Sequence, residues 1–334
     1  MDTLLTIEDL SVAFETYAGT VKAVNRINFD VYPGEAVGIV GESGCGKSVT
    51  AHAIMQLIST PPGRYTSGKI FFEGNNLLEQ SERQLEKLRG NAISMVFQDA
   101  MTALNPVLTI GLQIAESLQL HLALDKKAAY ARAIELLRMV EIPSPEERIY
   151  TYPHQFSGGM RQRAMIAMAL SCNPRLLIAD EPTTALDVTI QAQILDLLKD
   201  LQTKLNTAII LISHDLGVIA GLCSRVLVMY AGKIVESGPA EDIFHNPQHP
   251  YTWGLLQSVP RMDAPQKQKL SVIEGQPPDL LQMPSGCPFH PRCTYAMNIC
   301  ADYYPETSML TDRHSVNCWL QHPGAPKTHR EADK

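Results

Sequence analysis

Hydrophobic and polar positions alternate along much of residues 4–30, most clearly at 6–14 and 27–31. Alternation with a period of two is typical of strands that have one exposed face. Four other short segments are almost continuously apolar, as expected for strands buried on both faces of a parallel sheet. They span residues 36–40, 93–97, 176–179 and 208–212. The pattern therefore predicts an antiparallel sheet at the N-terminus, followed by an α/β domain with buried strands.

Helical periodicity, in which apolar residues recur at steps of three and four, is clearest in residues 128–140. Helical patterns punctuated by prolines extend from about residue 99 to 170. We interpret this stretch as a helical subdomain inserted into the α/β domain. Further helices are expected at residues 49–58 and 194–205, and a hairpin is expected around Ala231.

Proline, glutamine and glycine predominate from residue 260 to 284, a composition typical of a linker or a loosely structured wrap. Four of the seven cysteines follow within residues 287–318. The predicted organisation is one domain of residues 1–260 and a small cysteine-containing extension of residues 261–334. The last dozen residues are polar, and we expect them to be disordered.

The bulk composition narrows the classes of function. The net charge is −7, which argues against nucleic acid as the main partner. No segment approaches the ~20 apolar residues that a membrane-spanning helix needs. The N-terminus lacks the pattern of a secretory signal. We therefore expect a cytosolic chain, which docks to partner proteins if it works at a membrane.

A phosphate-binding loop follows the first buried strand. Its sequence fits G-x-x-x-x-G-K-[ST] and stands between a predicted strand and a predicted helix. Glycines there allow consecutive backbone N–H groups to surround phosphates, and the helix directs its positive end at them. The lysine is expected at the β- and γ-phosphates and the serine on Mg²⁺. The predicted nucleotide-binding residues are Gly41, Glu42, Ser43, Gly44, Cys45, Gly46, Lys47, Ser48 and Val49.

Polar residues close three of the buried strands, at the edge where the ligand sites of α/β sheets lie. Asp180 and Ser48 are expected to hold Mg²⁺, and Gln98 is expected at the Mg²⁺ ion or at the attacking water. Glu181 is expected to polarise that water, and His214 to contact the γ-phosphate.

An aromatic side chain shortly before the loop offers a surface on which adenine can stack. Tyr17 is the first candidate and Phe14 is the second. The alternative that Tyr17 is an ordinary surface residue stays open.

Several motifs together resemble those of ABC-type ATPases, over about residues 4–260. The stretch from Phe156 to Arg163 resembles the family's signature motif, although Phe156 and Met160 replace the usual Leu and Gln. The remaining matches are, in the family's order, the Q-loop, Walker B, D-loop and switch histidine at Gln98, Asp180-Glu181, residues 184–187 and His214.

This resemblance implies a P-loop ABC ATPase fold with a mixed sheet core, an antiparallel β subdomain and a helical subdomain. It also implies a head-to-tail dimer, in which ATP lies between the phosphate loop of one subunit and the signature of the other. The residues that it adds to the ATP site are Ser157, Gly158, Gly159 and Asp187.

Residues 246–252 and 286–293 resemble the C-terminal extension of peptide-importer ATPases. The likeness to D-type ATP-binding subunits of dipeptide and oligopeptide permeases covers nearly the whole chain. It implies ATP hydrolysis that powers peptide uptake at the cytoplasmic face of the membrane. The implied partners are a second ABC ATPase subunit, two membrane-spanning permease subunits and an extracytoplasmic peptide-binding protein.

Two alternatives to peptide import stay open. Importer ATPases for nickel or glutathione share these motifs, so the motifs do not define the solute. A soluble ABC ATPase that acts on DNA or ribosomes is the alternative from another class. Such proteins usually carry long coiled coils or tandem ATPase halves, and the sequence has neither pattern.

The four clustered cysteines are separated by five, six and seventeen residues. Four thiolates can bind zinc or hold a [4Fe-4S] cluster, but this spacing matches neither a zinc ribbon nor a ferredoxin. The resemblance implies a [4Fe-4S] cluster, since some peptide-importer ATPases with this pattern carry one. Zinc and free thiols are the alternatives. The predicted ligands are Cys287, Cys293, Cys300 and Cys318.

Overall fold

The computed structural model describes residues 2–183, 187–258 and 273–326. Alternation at the N-terminus produces two long antiparallel strands, β1 (Leu5–Thr16) and β2 (Gly19–Val31), as predicted. In the described chain, they form a four-stranded sheet in the order β2-β1-β4-β5, with β4 (Gly63–Phe72) and β5 (Asn75–Asn76).

The buried apolar segments form the parallel centre of a second sheet. Its parallel strands are β3 (Ala36–Val40), β6 (Ile93–Val96), β7 (Leu176–Asp180), β8 (Ala208–Ser213) and β9 (Arg225–Tyr230). Three antiparallel strands complete it, namely β10 (Lys233–Pro239), β11 (Ser308–Thr311) and β12 (His314–Val316). The order is β11-β12-β10-β9-β3-β8-β7-β6, so the C-terminal extension continues the central sheet.

The helices of the first half include the one that follows the phosphate loop and those of the predicted helical subdomain. They are α1 (Lys47–Ile54), α2 (Glu82–Leu88), α3 (Ala100–Ala103), α4 (Ile110–Leu122), α5 (Lys126–Met139), α6 (Pro145–Arg148) and α7 (Gly158–Ala169). The remaining helices are α8 (Val188–Leu205), α9 (Leu216–Leu222), α10 (Ala240–His245), α11 (Pro250–Gln257) and α12 (Asn298–Asp302).

Helix α1 is shorter than the prediction for residues 49–58. It ends at Ile54, and Gln56 has a left-handed backbone with φ of 51°. Arg89, which follows α2, donates hydrogen bonds to the carbonyl oxygens of Met55 and Gln56. The helix therefore ends where a distant arginine takes up its last carbonyls, which a local pattern cannot reveal.

Two apolar clusters lie on opposite faces of the central sheet. One joins this sheet to the helical subdomain and the C-terminal extension, and it includes Phe156, Tyr251 and Phe289. The other joins the central sheet to α1 and the N-terminal sheet. Burial on both faces explains why the parallel strands are mostly apolar.

Within the described ranges, we find no helix with both the length and the apolar character needed to span a membrane. The predicted boundary between residues 260 and 261 lies outside the described residues, as do residues 327–334 of the predicted disordered tail. The proline-rich residues 273–284 contain neither helix nor strand, in line with the prediction of a wrap.

Candidate functional site

The phosphate loop runs from the end of β3 to the start of α1, and its glycines allow two close approaches. Gly46 has φ of 105°, and a Cβ there would lie 2.4 Å from the carbonyl oxygen of Ala23. A Cβ on Gly41 would lie 2.1 Å from the carbonyl oxygen of Met229. Glycine at both positions therefore lets the loop backbone lie against these two carbonyl oxygens, which a residue with a side chain could not do.

Lys47 lies inside this loop and is almost completely buried. Its ammonium nitrogen Nζ donates hydrogen bonds to the carbonyl oxygens of Gly41 and Glu42, at 2.8 and 2.9 Å. Cys45 is also buried, and burial raises the pKa of its thiol. The ammonium group of Lys47 is therefore held by carbonyl oxygens of the phosphate loop itself. The Cys45 thiol beside it is neutral.

The end of β7 lies close to the start of α1, because both β7 and β3 pair with β8 in parallel register. As a result, the Ser48 hydroxyl donates a hydrogen bond to Asp180 Oδ1 at 3.1 Å. Asp180 is only 3% exposed, and burial raises the pKa of its carboxyl group. The structure thus brings together two of the three predicted Mg²⁺ ligands.

Glu181 is the centre of a second cluster. Gln98 Nε2 donates to Glu181 Oε2 at 3.0 Å, and His214 Nδ1 lies 3.2 Å from Glu181 Oε1. The Glu181 backbone has φ of 47°, in the left-handed region, and its N–H donates to the Ile212 carbonyl at 2.9 Å. This uncommon conformation directs the glutamate to the strand ends that carry Gln98 and His214.

The side-chain oxygens of Ser48, Asp180 and Gln98 suit magnesium, which prefers oxygen ligands such as carboxylates and water. The buried Asp180 carboxylate next to Ser48 supports the fit, because a bound cation would offset the burial that raises its pKa. Gln98 would reach this position from its hydrogen bond with the adjacent Glu181.

The predicted signature residues lie at the start of α7. The Ser157 hydroxyl caps this helix by accepting the Met160 N–H at 3.3 Å. A Cβ on Gly159 would lie 3.0 Å from Ile190 Cγ2 of α8, and Asp187 caps α8 by accepting the Ile190 N–H at 3.0 Å. Among the hydrogen bonds of the described residues, none joins this signature to the phosphate loop. Residues 184–186 of the predicted D-loop lie outside the described chain.

Tyr17 is fully exposed in the turn between β1 and β2. Phe14, the second candidate for adenine stacking, packs against the apolar cluster below the N-terminal sheet. Tyr17 therefore has the more accessible ring of the two.

The prediction of an iron–sulfur cluster or zinc at the four cysteines is wrong. They line one cavity of about 20 Å³, which is room for roughly a single water molecule. Within residues 2–183, 187–258 and 273–326, no group of three or more His, Cys, Asp or Glu side chains is placed to hold a metal ion. Burial also raises the pKa values of Cys287, to about 11, and Cys318, to about 12, so both are neutral thiols.

Two contacts to the phosphate loop were absent from the sequence prediction. Arg292, in the C-terminal extension, pairs with the carboxylate of Glu42 at 2.6 and 2.9 Å. The Tyr251 hydroxyl accepts the Glu42 N–H at 2.8 Å. Both partners are more than 200 residues away along the chain, and no local motif marks such a pair.

The phosphate loop, the acids at the neighbouring strand end and the capped signature helix define an ATPase of the ABC transporter class. Residues 24–184 match the family described as "ABC transporter". A dimeric ATP-binding cassette, MJ0796 bound to ADP and Pi, has a similar fold. Its TM-score is 0.64 at 27% identity, over 71% of this chain and 98% of that one.

Full-length relatives narrow the class. The chain is 54% identical to the oligopeptide transport ATP-binding protein OppD of Bacillus subtilis, over 97% of this chain and 90% of that protein. It is also 54% identical to the dipeptide transport ATP-binding protein DppD of the same species, over 96% of both. Residues 235–300 match the family described as "Oligopeptide/dipeptide transporter, C-terminal region". The chain therefore belongs to the family of oligopeptide and dipeptide transport ATP-binding proteins, and it is an ABC ATPase.

Proposed function

We propose that this chain binds and hydrolyses ATP to power the import of dipeptides or oligopeptides across the cell membrane. The observation that carries the proposal is the pair of clusters at the phosphate loop, Ser48 with Asp180 and Glu181 with Gln98 and His214. The names of the relatives support the peptide class of solute.

In this proposal, ATP phosphates lie on the backbone N–H groups of the phosphate loop, and Lys47 turns from its carbonyl partners to the β- and γ-phosphates. Ser48, Asp180 and Gln98 hold Mg²⁺, which neutralises phosphate charge when it is bound. Glu181 accepts a proton from the attacking water, while His214 contacts the γ-phosphate. Tyr17 offers its exposed ring to the adenine.

A second ABC ATPase subunit completes the site. Ser157, Gly158 and Gly159 stand at the N-terminus of α7, where anions bind favourably. They would contact the γ-phosphate held by the partner, with Asp187 near the dimer interface. ATP then joins the two subunits, and hydrolysis releases them.

The complete transporter would contain two membrane-spanning permease subunits and an extracytoplasmic peptide-binding protein, with this chain peripheral at the cytoplasmic face. Met101 in α3 and Val107, four residues after the end of that helix, are 68% and 75% exposed. Exposed apolar side chains of this kind suit a contact with the permease.

Replacing Glu181 with Gln tests the catalytic proposal. The amide cannot accept the proton, so we expect steady-state ATP hydrolysis to fall at least about a hundredfold, within the range for general base catalysis. MgATP binding should persist, and an ATP-dependent dimer should accumulate on size-exclusion chromatography. Glu86→Gln, on the exposed face of α2, is the matched control. Wild-type hydrolysis by Glu181→Gln would contradict the role of this glutamate.

Solute uptake tests the transport proposal. Cells that lack this chain should lose uptake of labelled di- and oligopeptides and regain it with the wild-type chain, but not with Glu181→Gln. Uptake of nickel and glutathione is measured in parallel. Loss of nickel or glutathione uptake with normal peptide uptake would overturn the peptide assignment.

A further inference from the structure

A groove separate from the phosphate loop lies between the N-terminal sheet, the central sheet and the C-terminal extension. Its volume is about 1170 Å³, which exceeds the range of about 300–1,000 Å³ for ordinary small-molecule pockets. Residues 26–30 of β2 line one side. Strand β10 and residues between 304 and 317 of the extension line the rest. The groove therefore has room for a ligand larger than a typical metabolite.

Strand β2 presents its edge to this groove. Residues 26–30 line it consecutively, whereas one face of a strand would supply only every second residue. In the described part of the chain, β2 is the outermost strand of its sheet, and β11, which contributes Met309, is the outermost strand of the central sheet. Outermost strands can pair through their backbone with another extended chain. The groove thus offers main-chain partners to a peptide ligand.

Most charged side chains of the groove already have an opposite charge beside them. Arg26 Nε donates to Asp9 Oδ1 at 2.7 Å. Arg225 donates to both carboxylate oxygens of Glu35, at 2.8 and 2.9 Å. An acid and a base, residues 312 and 313, are neighbours at the exposed turn between β11 and β12, where their charges offset each other. These side chains therefore leave little net charge for a ligand to neutralise.

Lys233 and Asp30 line the same groove, and neither forms an ion pair with any residue that the structure describes. Lys233 Nζ lies over the ring of Tyr304, 4.2 Å from its centroid. Partial burial, and after it the charge of Arg26, lowers the pKa of the Lys233 ammonium group. A ligand carboxylate would offset both effects. The groove thus has one cation and one anion available to a ligand that carries both charges.

These two charges are separated along the groove. The Asn25 N–H donates to the Gly232 carbonyl oxygen at 2.8 Å, so Lys233 lies next to this part of β2. Asp30 follows Asn25 by five residues, which span roughly 16 Å in an extended strand. An extended peptide of about five residues covers a similar distance between its termini, whereas a dipeptide covers about half of it.

We infer that this groove binds a short free peptide of about five residues, with its terminal carboxylate at Lys233 and its terminal amino group at Asp30. The peptide main chain would pair with the edge of β2. Ser237 and Ser315, which pair across β10 and β12 and line the groove, offer hydroxyl groups to its side chains. The choice of a free peptide rests on the proposed function, because peptide import would supply such molecules. Binding at the groove itself requires no ATP.

Isothermal titration calorimetry of the full-length chain without nucleotide tests the inference, with pentaalanine as the probe. Amidation of its carboxyl end or acetylation of its amino end should each weaken binding by about tenfold or more, because each removes a contact between charged groups. Dialanine should also bind at least about tenfold more weakly, since it cannot reach both charges.

Two variants assign the termini to their partners. Lys233→Met should weaken pentaalanine binding about as much as amidation does, and the amidated peptide should bind this variant and the wild type equally. Asp30→Asn should behave in the same way towards the acetylated peptide. Lys69→Met is the matched control, because Lys69 also lies over an aromatic ring, that of Phe71, but does not line the groove.

The results that would overturn the inference are specific. They are no binding of pentaalanine at millimolar concentration, or equal binding of the free, amidated and acetylated peptides. Equal binding would mean that the groove accepts a segment within a protein chain. If Lys233→Met or Asp30→Asn does not fold, the modified peptides on the wild-type chain decide the question. Glu181→Gln should bind pentaalanine like the wild type, so failure of the proposed ATP hydrolysis would be visible separately.

Discussion

Glu236 anchors the C-terminal extension to the central sheet, and its replacement by Gln should destabilise the protein strongly. The Glu236 side chain is completely buried, and that of His314 is 2% exposed. Oε1 accepts the Gln248 N–H at 2.7 Å and His314 Nε2 at 2.9 Å, while Oε2 accepts the His249 N–H at 3.0 Å. One carboxylate thus accepts hydrogen bonds from three donors, and those of His249 and His314 are buried.

Glutamine has the same shape but only one acceptor oxygen. In its better orientation it keeps the two contacts of Oε1 and presents an NH₂ group to the His249 N–H. A buried unsatisfied donor costs about 1–3 kcal/mol, and the two remaining hydrogen bonds lose their assistance by charge. We therefore expect Glu236→Gln to lower the free energy of unfolding by about 3 kcal/mol, near the range for breaking a buried charged pair.

Urea denaturation followed by tryptophan fluorescence measures this effect directly. Both tryptophans, Trp253 and Trp319, lie in the C-terminal part that Glu236 anchors. Glu241→Gln, an exposed glutamate at the start of α10, is the control and should match the wild type. A Glu236→Gln midpoint within error of the wild type, with an unchanged slope, would refute the reasoning.

Three further predictions concern burial and backbone strain. Burial lowers the pKa of His249 to about 4. The stability contributed by the neutral imidazole is therefore fully present above the unfolded pKa of ~6.5, and the free energy of unfolding falls by about 2 kcal/mol by pH 5. His249→Gln should show a smaller fall between pH 7 and pH 5 in urea titrations. Burial raises the pKa of Cys287 to about 11 and that of Cys318 to about 12. Mass spectrometry should therefore show slow alkylation of both thiols by iodoacetamide in the folded protein at pH 8, and rapid alkylation in urea. Rapid alkylation of the folded protein would contradict their burial. Gly68→Ala should lower the unfolding free energy by at least about 2 kcal/mol, because its Cβ would lie 2.5 Å from Leu10 Cα. Gly74→Ala, also at positive φ but without neighbours within 4 Å, should cost less, and equal losses in thermal melts would contradict the steric argument.

The sequence predicted the central strands and the residues at their ends because those signals are local. An apolar run of five residues buried on both faces can be recognised without knowing its neighbours, as β3 and β7 illustrate. The phosphate loop is equally local, since the glycines and Lys47 serve one continuous turn. Asp180 and Ser48 were expected to meet because strand ends in a parallel sheet share one edge.

The cysteines illustrate an error that local spacing permits. Cys287 and its three partners line one small cavity, but they are not placed to hold a metal ion in the described part of the chain. What the spacing does not contain is the size of the space between them, which packing by neighbours such as Phe289 and Trp319 determines. Proximity along the chain therefore suggested a ligand set, and the folded geometry did not support it.

By itself, the sequence determined the fold class, the phosphate loop and the strand-end acids, since each depends on residues close together in the chain. Only the tertiary structure decided where α1 ends, that β12 joins the central sheet, and that Arg292 holds Glu42. Those features depend on contacts between segments up to 250 residues apart. Such contacts arise from packing and hydrogen bonding in the folded chain, and they leave no periodic pattern in the sequence.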